Sequence, residues 1–86
     1  MLLKGRTVLV TGGASGLGGA TVDMIAAAGG RAVIIDLKDD AGRAKAVQHG
    51  ASARFVRADV TSEEQGQDAI DVATKDYGQI DGLVNA

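Results

Sequence analysis

The sequence predicts an α/β chain in which short parallel strands alternate with helices. Three observations carry that prediction. Four short runs, beginning at Thr7, Ala32, Ala53 and Ile80, are mainly apolar rather than alternating, with Arg54 and Asp81 as the charged interruptions, as strands covered on both faces are. The segments between them carry helical spacing and helix stop signals. A cluster of glycines, Gly12, Gly13, Gly16 and Gly18, fills the turn between the first run and the first helical segment. Strand–helix alternation implies parallel pairing through right-handed crossovers. The expected sheet order is 3-2-1-4, with the first two helices on one face and the third helix on the other.

Each element has its own signal. Thr7 to Val10 is strand one. Leu17, Ala20, Thr21, Met24, Ile25 and Ala28 recur at helical spacing and predict the inner face of helix one, which Gly29-Gly30 ends. Ala32 to Asp36 is strand two. Asp39 or Asp40 caps a second helix running to about His49, with Ala44 and Val47 inward and Gly50 as its stop. Ser52 to Arg57 is strand three. Thr61 to Glu64 reads as a capping box, with Ser62 to Gln65 a competing register. The third helix presents Gly66, Ala69, Ile70, Ala73 and Tyr77 inward. Ile80 to Val84 is strand four, expected as an apolar edge with unpaired backbone groups beside an exposed stripe of Val and Ile. That edge predicts a marginally stable monomer or self-association through strand four.

The glycine turn is where chemistry is expected. A strand, a glycine-rich turn and a helix start together hold a diphosphate: free N–H groups point at the anion and the helix dipole favours it. Side chains at Gly12 or Gly16 would block a backbone needing positive φ or keep it away from the phosphates. Gly18 lets the helix pack closely on the strands. The N–H groups around Ser15, Gly16 and Leu17 line the cradle. Asp36 ends strand two, eighteen residues beyond Gly18. A carboxylate roughly 20 residues past the glycines can bind adenosine ribose hydroxyls and repels a 2′-phosphate; otherwise Asp36 caps or starts a loop. Asp59-Val60 ends strand three, where Asp59 can accept the adenine amino hydrogen. Taken alone, Asp59 reads as a turn residue before a helix cap. Leu83-Val84-Asn85 ends strand four. The arrangement is one half of a doubly wound Rossmann fold, with the crevice where strand order reverses between strands one and four.

These residues resemble the short-chain dehydrogenase/reductase family across essentially the whole chain. The family's T-G-x-x-x-G-x-G fingerprint is matched by Thr11, Gly12, Gly16 and Gly18, its acidic ribose residue by Asp36, and its D-V adenine contact by Asp59-Val60. The run Tyr77 to Asn85 is similar to the one leading into the family's N-N-A-G element, although Ala86 stands at the second Asn position. The wording Gly12 to Gly18, Asp36-Leu37 and Ala58 to Glu63 is most similar to the subgroup acting on 3-hydroxyacyl-CoA and hydroxysteroids. In the family, NADP users carry a basic residue at the positions of Ser15 or Leu37, so the resemblance implies NAD. It implies an NAD-dependent oxidoreductase moving a hydride between nicotinamide and an alcohol or ketone, with 3-hydroxyacyl-CoA as the candidate substrate and residues 1–86 as its NAD-binding half-domain. The family's catalytic Ser, Tyr-x-x-x-Lys pair and further Asn all follow position 86, so the chain is expected to be truncated before the catalytic half, to contain no catalytic residue and to be inactive alone. Tyr77 is not the missing Tyr, because Asp81 stands four residues on where Lys belongs; its expected role is packing.

Composition narrows the alternatives. The chain has 86 residues, 45% hydrophobic and 23% charged, ordinary values for one small globular domain. A net charge of −2 and a pI near 5.1 disfavour nucleic-acid or anionic-membrane partners. With no cysteine and one histidine, His49, neither thiolate catalysis nor a metal site is expected. No run approaches a membrane-spanning length, and Met1 to Gly5 lacks the apolar core of a signal peptide, so a cytoplasmic protein is expected. Asp39-Asp40 and Glu63-Glu64 read as helix-start acids favoured by the dipole. Two other readings stand beside the oxidoreductase: a non-catalytic module binding NAD or AMP-like ligands, and a fragment complementing a separate catalytic chain.

Overall fold

The computed structural model describes residues 3–86; the signal-peptide reading at positions 1 and 2 lies outside them. Seven main elements follow one another: β1 (Thr7–Thr11), α1 (Gly16–Ala27), β2 (Arg31–Asp36), α2 (Asp39–His49), β3 (Ala53–Arg57), α3 (Glu63–Tyr77) and β4 (Gly82–Asn85), with a 3₁₀ turn at Gly50–Ser52 before β3. The sheet order is β3-β2-β1-β4, all parallel, as the sequence predicts. Leu9 pairs with Val33 on one side and Leu83 on the other, which places β1 in the interior of the sheet. Val8, Val10, Val33 and Ile34 are buried, so the inner strands are apolar on both faces.

Two cores lie on opposite faces of the sheet. Val8, Val10, Ala32 and Ile34 pack against Val22 and Ile25 of α1, with Ala46 of α2 and Phe55 at the margin. Leu9, Val33 and Ile35 pack against Ala69 and Ala73 of α3, with Tyr77 beside them. The division of α1 and α2 from α3 is therefore the expected one. The helix faces differ. On α1 the buried residues are Gly18, Gly19, Val22 and Ile25, whereas Leu17 is 83% and Met24 60% exposed. On α2 the buried residue is Gly42, while Ala44 is exposed and Val47 is 81% exposed. A Cβ on Gly42 would lie 2.0 Å from a ring carbon of Phe55, so the absent side chain lets helix and ring meet. α3 follows expectation at Ala69, Ala73 and Tyr77, with Ile70 partly exposed.

Helix ends correct the sequence reading in two places. Lys38, not an aspartate, stands at the N-cap position of α2 and makes no side-chain cap bond, while Asp39 and Asp40 occupy the first turn, where the dipole favours acids. Ser62 caps α3 by accepting from Gln65 N–H, so the competing register is the one used. Thr61 instead donates its hydroxyl to Asp59. α1 ends in a Schellman arrangement: Gly30 N–H bonds Ile25 C=O and Gly29, at φ 82°, bonds Ala26 C=O. β4 starts at Gly82 rather than Ile80 because Asp81 turns in as an anchor. Its carboxylate accepts from Thr7 N–H at 2.8 Å, and its own N–H donates to Thr7 C=O. Along β4, Leu83 is exposed and Val84 is half-buried, and Val60, Ile70 and Ile80 are exposed as well, so the bare apolar surface combines Leu83 with the expected Val and Ile side chains.

His49 closes a contact between the first two helices. Asp23 of α1 accepts from Lys45 at 2.8 Å and His49 at 2.6 Å. Those two bonds hold the Asp23 carboxyl below the usual range. Tyr77 packs as expected. Its hydroxyl donates to Ala51 C=O, and the guanidinium groups of Arg31 and Arg54 lie over its ring at 4.9 and 5.4 Å.

Candidate cofactor-binding site

The carboxyl ends of β1, β2 and β3 open onto a cleft of about 210 Å³ lined by Thr11, Gly12, Ile35, Asp36, Leu37, Ala58, Asp59, Val60 and Ala86. Five of the expected site residues, Gly12, Asp36, Leu37, Asp59 and Val60, therefore meet in one place. Asn85 and Val60 line an adjoining groove of about 420 Å³ between the sheet and α3. Ser15, Gly16 and Leu17 stand exposed at the start of α1.

The glycine loop has the geometry its sequence requires. Gly12 has φ 67° and Gly16 φ 60°, conformations that side-chain-bearing residues rarely adopt. Gly18 serves a different purpose, since a Cβ there would lie 1.9 Å from Gly12 O. The helix start is pressed onto the end of β1, as expected. The first bond at this end of α1 runs from Gly19 N–H to Ser15 C=O, and the Ser15 side chain caps nothing. The amides of Gly16, Leu17 and Gly18 precede that bond and have no intrahelical acceptor. No acid lies in the first turn, whereas α3 has its serine cap and Glu63 and Glu64. An uncapped, acid-free helix start with open space at Gly16 fits an anion and so fits the diphosphate of a dinucleotide.

The rest of the cleft is held by hydrogen bonds. Asp36 Oδ2 accepts from Ala14 N–H at 3.2 Å and Oδ1 from Lys38 N–H at 3.1 Å. Asp59 Oδ1 accepts from both the N–H and the hydroxyl of Thr61, which holds its carboxyl below the usual range. This is the turn geometry that Asp59 alone suggests, and no described residue donates to Oδ2. Asn85 Oδ1 accepts from the Thr11 hydroxyl at 2.9 Å, joining the ends of β1 and β4.

Three features escape sequence reasoning. Ala14 is nearly buried and delivers its N–H to Asp36. Ala58, 2% exposed, lines the cleft. Gln65 reaches back to accept from Asp59 N–H at 2.7 Å. Only Gln65 had a sequence signal, as a glutamine three residues past a serine cap. Among the described residues no group of His, Asp and Glu is arranged to hold a metal, and no helix is long and apolar enough to cross a membrane.

The short chain dehydrogenase family model matches residues 6–86. The chain belongs to the short-chain dehydrogenase family. Over 83 residues it is 43% identical to 3-hydroxyacyl-CoA dehydrogenase type-2 of Bos taurus, covering 96% of this chain and 32% of that protein. It is 36% identical to a 2,5-dichloro-2,5-cyclohexadiene-1,4-diol dehydrogenase of Sphingobium indicum, covering 96% and 33%. Among solved structures, a 3-ketoacyl-(acyl-carrier-protein) reductase from Brucella melitensis complexed with NADH superposes with a TM-score of 0.91 at 31% identity, covering 94% of this chain and 33% of that one. The 3-hydroxyacyl-CoA dehydrogenase type-2 of Mycobacterium avium gives 0.89 at 41% identity, covering 95% and 32%. The architecture is thus half of the family's Rossmann fold, and the chain is similar to the type-2 subgroup. It spans about a third of the length of these relatives.

Proposed function

We propose that residues 1–86 form the cofactor-binding portion of an NAD-dependent oxidoreductase that moves a hydride between nicotinamide and an alcohol or ketone. The observation that carries this reading is the uncapped start of α1 beside the Gly12–Gly18 loop, next to the cleft that Asp36 and Asp59 line. The loop amides hold the diphosphate, Asp36 binds the adenosine ribose, and Asp59 with Val60 borders the adenine. When bound, the cofactor supplies the hydride chemistry; these residues bind and orient it. The similarity to type-2 3-hydroxyacyl-CoA dehydrogenases supports a 3-hydroxyacyl-CoA as substrate class.

NAD is favoured over NADP by charge. A 2′-phosphate would lie against the Asp36 carboxylate, which is unfavourable unless a cation intervenes, and the adjoining positions are Ser15 and Leu37. Lys38 and Arg57 are the nearest cations by sequence and by strand register, and neither pairs with Asp36 among the described residues.

Calorimetric titration of the 86-residue chain with NADH and with NADPH tests this. Saturable NADH binding, much weaker NADPH binding and loss of NADH binding in Asp36→Ala are expected. Equal affinity for the two would overturn the NAD assignment and point to Lys38 and Arg57. No binding of either would overturn the claim that these residues hold the cofactor by themselves.

A further inference from the structure

The Asp36 carboxylate has two backbone partners that a ribose-binding role does not require. Oδ2 accepts from Ala14 N–H inside the glycine loop, and Oδ1 accepts from Lys38 N–H at the start of α2. We propose that Asp36 is a positioning residue as well as a ribose acceptor: it holds the Gly12–Gly16 loop in the shape that receives a diphosphate. One side chain then couples the ribose and the diphosphate of an adenosine diphosphate moiety. The inference rests on the nucleotide-binding reading above.

Three observations support it. The loop is pliable where it must be shaped, since Gly12 and Gly16 both take positive φ and neither carries a side chain to fix it. Among the described residues its hydrogen bonds to β2 are two: Gly12 N–H to Ile35 C=O at 2.8 Å, and Ala14 N–H to Asp36. The second lies nearer the anion cradle, and it is the one a side chain supplies. Ala14 is also 9% exposed, so its amide has little access to water if the carboxylate is removed. The Lys38 bond fixes the orientation of the carboxylate, because each oxygen is engaged by a different backbone segment. Each oxygen keeps a further lone pair for a ribose hydroxyl. A bond from an amide to a charged acceptor shifts an equilibrium on the order of ten-fold or more. The loop tether and the ribose contact are therefore comparable in size.

The two roles separate with a pair of probes, ADP and 2′,3′-dideoxy-ADP. Both carry the diphosphate, and only ADP carries the ribose hydroxyls. If Asp36 acts on the ribose alone, Asp36→Ala leaves dideoxy-ADP affinity unchanged, which would overturn the proposal and leave the nucleotide-binding reading intact. If Asp36 also shapes the loop, the variant weakens dideoxy-ADP by about ten-fold, and ADP by more. Asp36→Asn, whose amide oxygen can accept from Ala14 without charge, is expected to recover part of the dideoxy-ADP affinity, and it replaces the alanine variant if that one does not fold. Hydrogen exchange on the unliganded wild type is the independent check. The Ala14 amide is expected to be protected relative to those of Gly16 and Leu17; exchange as fast as theirs would remove the tether and overturn the proposal whatever the nucleotides do. Failure of the wild type to bind either probe would instead overturn the nucleotide-binding reading, with the exchange result still deciding the tether.

Discussion

Gly18→Ala tests the close approach on which the cradle depends. An ideal Cβ at this position lies 1.9 Å from Gly12 O, 2.6 Å from Gly12 C and 3.0 Å from Gly13 Cα. Real Cβ contacts essentially never fall below 3.0 Å, so the shortest must open by about 1 Å. All three atoms are backbone, and no rotamer change relieves them. Either the loop or the start of α1 must move, yet α1 is anchored by Val22 at 0% and Ile25 at 2% exposure. Alanine returns about 1 kcal/mol of helix propensity. Overpacking a well-filled site costs about 1–3 kcal/mol and occasionally more. A clash with fixed backbone belongs at the upper end, so the net loss is about 2 kcal/mol. For a domain of this size that lowers Tm by roughly 8–16 °C.

Gly66→Ala is the matched control. It too places alanine in a helix, but its Cβ meets nothing within 4 Å and its φ is not positive. It is expected to raise stability by about 0.5–1 kcal/mol. Both variants are to be melted by circular dichroism, with urea titration to check that the slope is unchanged. A Gly18→Ala melting point within about 3 °C of wild type, well short of the shift expected here, would show that α1 and the loop are not in contact as described. A loss in Gly66→Ala equal to that in Gly18→Ala would show that the clash is not what distinguishes the two sites.

Three further outcomes follow from the packing and charge. Asp81 has its carboxyl held below the usual range chiefly by Thr7 N–H, with Gln79 and Arg6 assisting. A lowered folded value stabilises above the unfolded value of about 3.8 and loses that contribution as pH falls through the folded one; Asp81→Asn should therefore melt lower than wild type at pH 7, and the two curves of Tm against pH should converge below pH ~3.8. Ile34, fully buried in the α1 face of the sheet, should cost about 1 kcal/mol on change to Val, read by urea unfolding. Leu83→Lys replaces an exposed side chain and should change stability by less than about 0.5 kcal/mol, while lowering any concentration-dependent association seen by sedimentation; unchanged association would place the contact elsewhere than β4.

The strands and the loop were legible because their signals are local. A strand covered on both faces needs an apolar run, and Thr7 to Val10 and Ala32 to Ile35 are such runs. A turn with positive φ needs glycine, and Gly12 and Gly16 are there for that reason. The register of α3's cap was not decidable in advance, because Thr61 and Ser62 each stand three residues before a residue able to reach back. What settles it is Asp59, whose carboxylate takes the Thr61 hydroxyl and leaves Ser62 to cap. The Asp36–Ala14 tether had no signal at all, since its two partners are 22 residues apart and one is a backbone amide.

The inner faces of α1 and α2 were misassigned for a shared physical reason. Hydrophobic periodicity gives weight to large side chains and none to glycine. In α1, apolar residues occur around the helix, so Leu17 and Met24 compete with Val22 for the inner face, to which Ile25 was rightly assigned. Burial is decided by how closely the backbone can approach the sheet. Gly18 meets Gly12, Gly19 lies beside Lys45 of the neighbouring helix, and Gly42 admits the Phe55 ring. Turning α1 to bury Leu17 would carry Gly18 off the loop and lift the unpaired amides of the first turn away from the glycine cradle. The phase of α1 is therefore set by its smallest residues, and the same approach that buries Val22 and Ile25 brings the helix start to the glycine loop proposed to receive the anion.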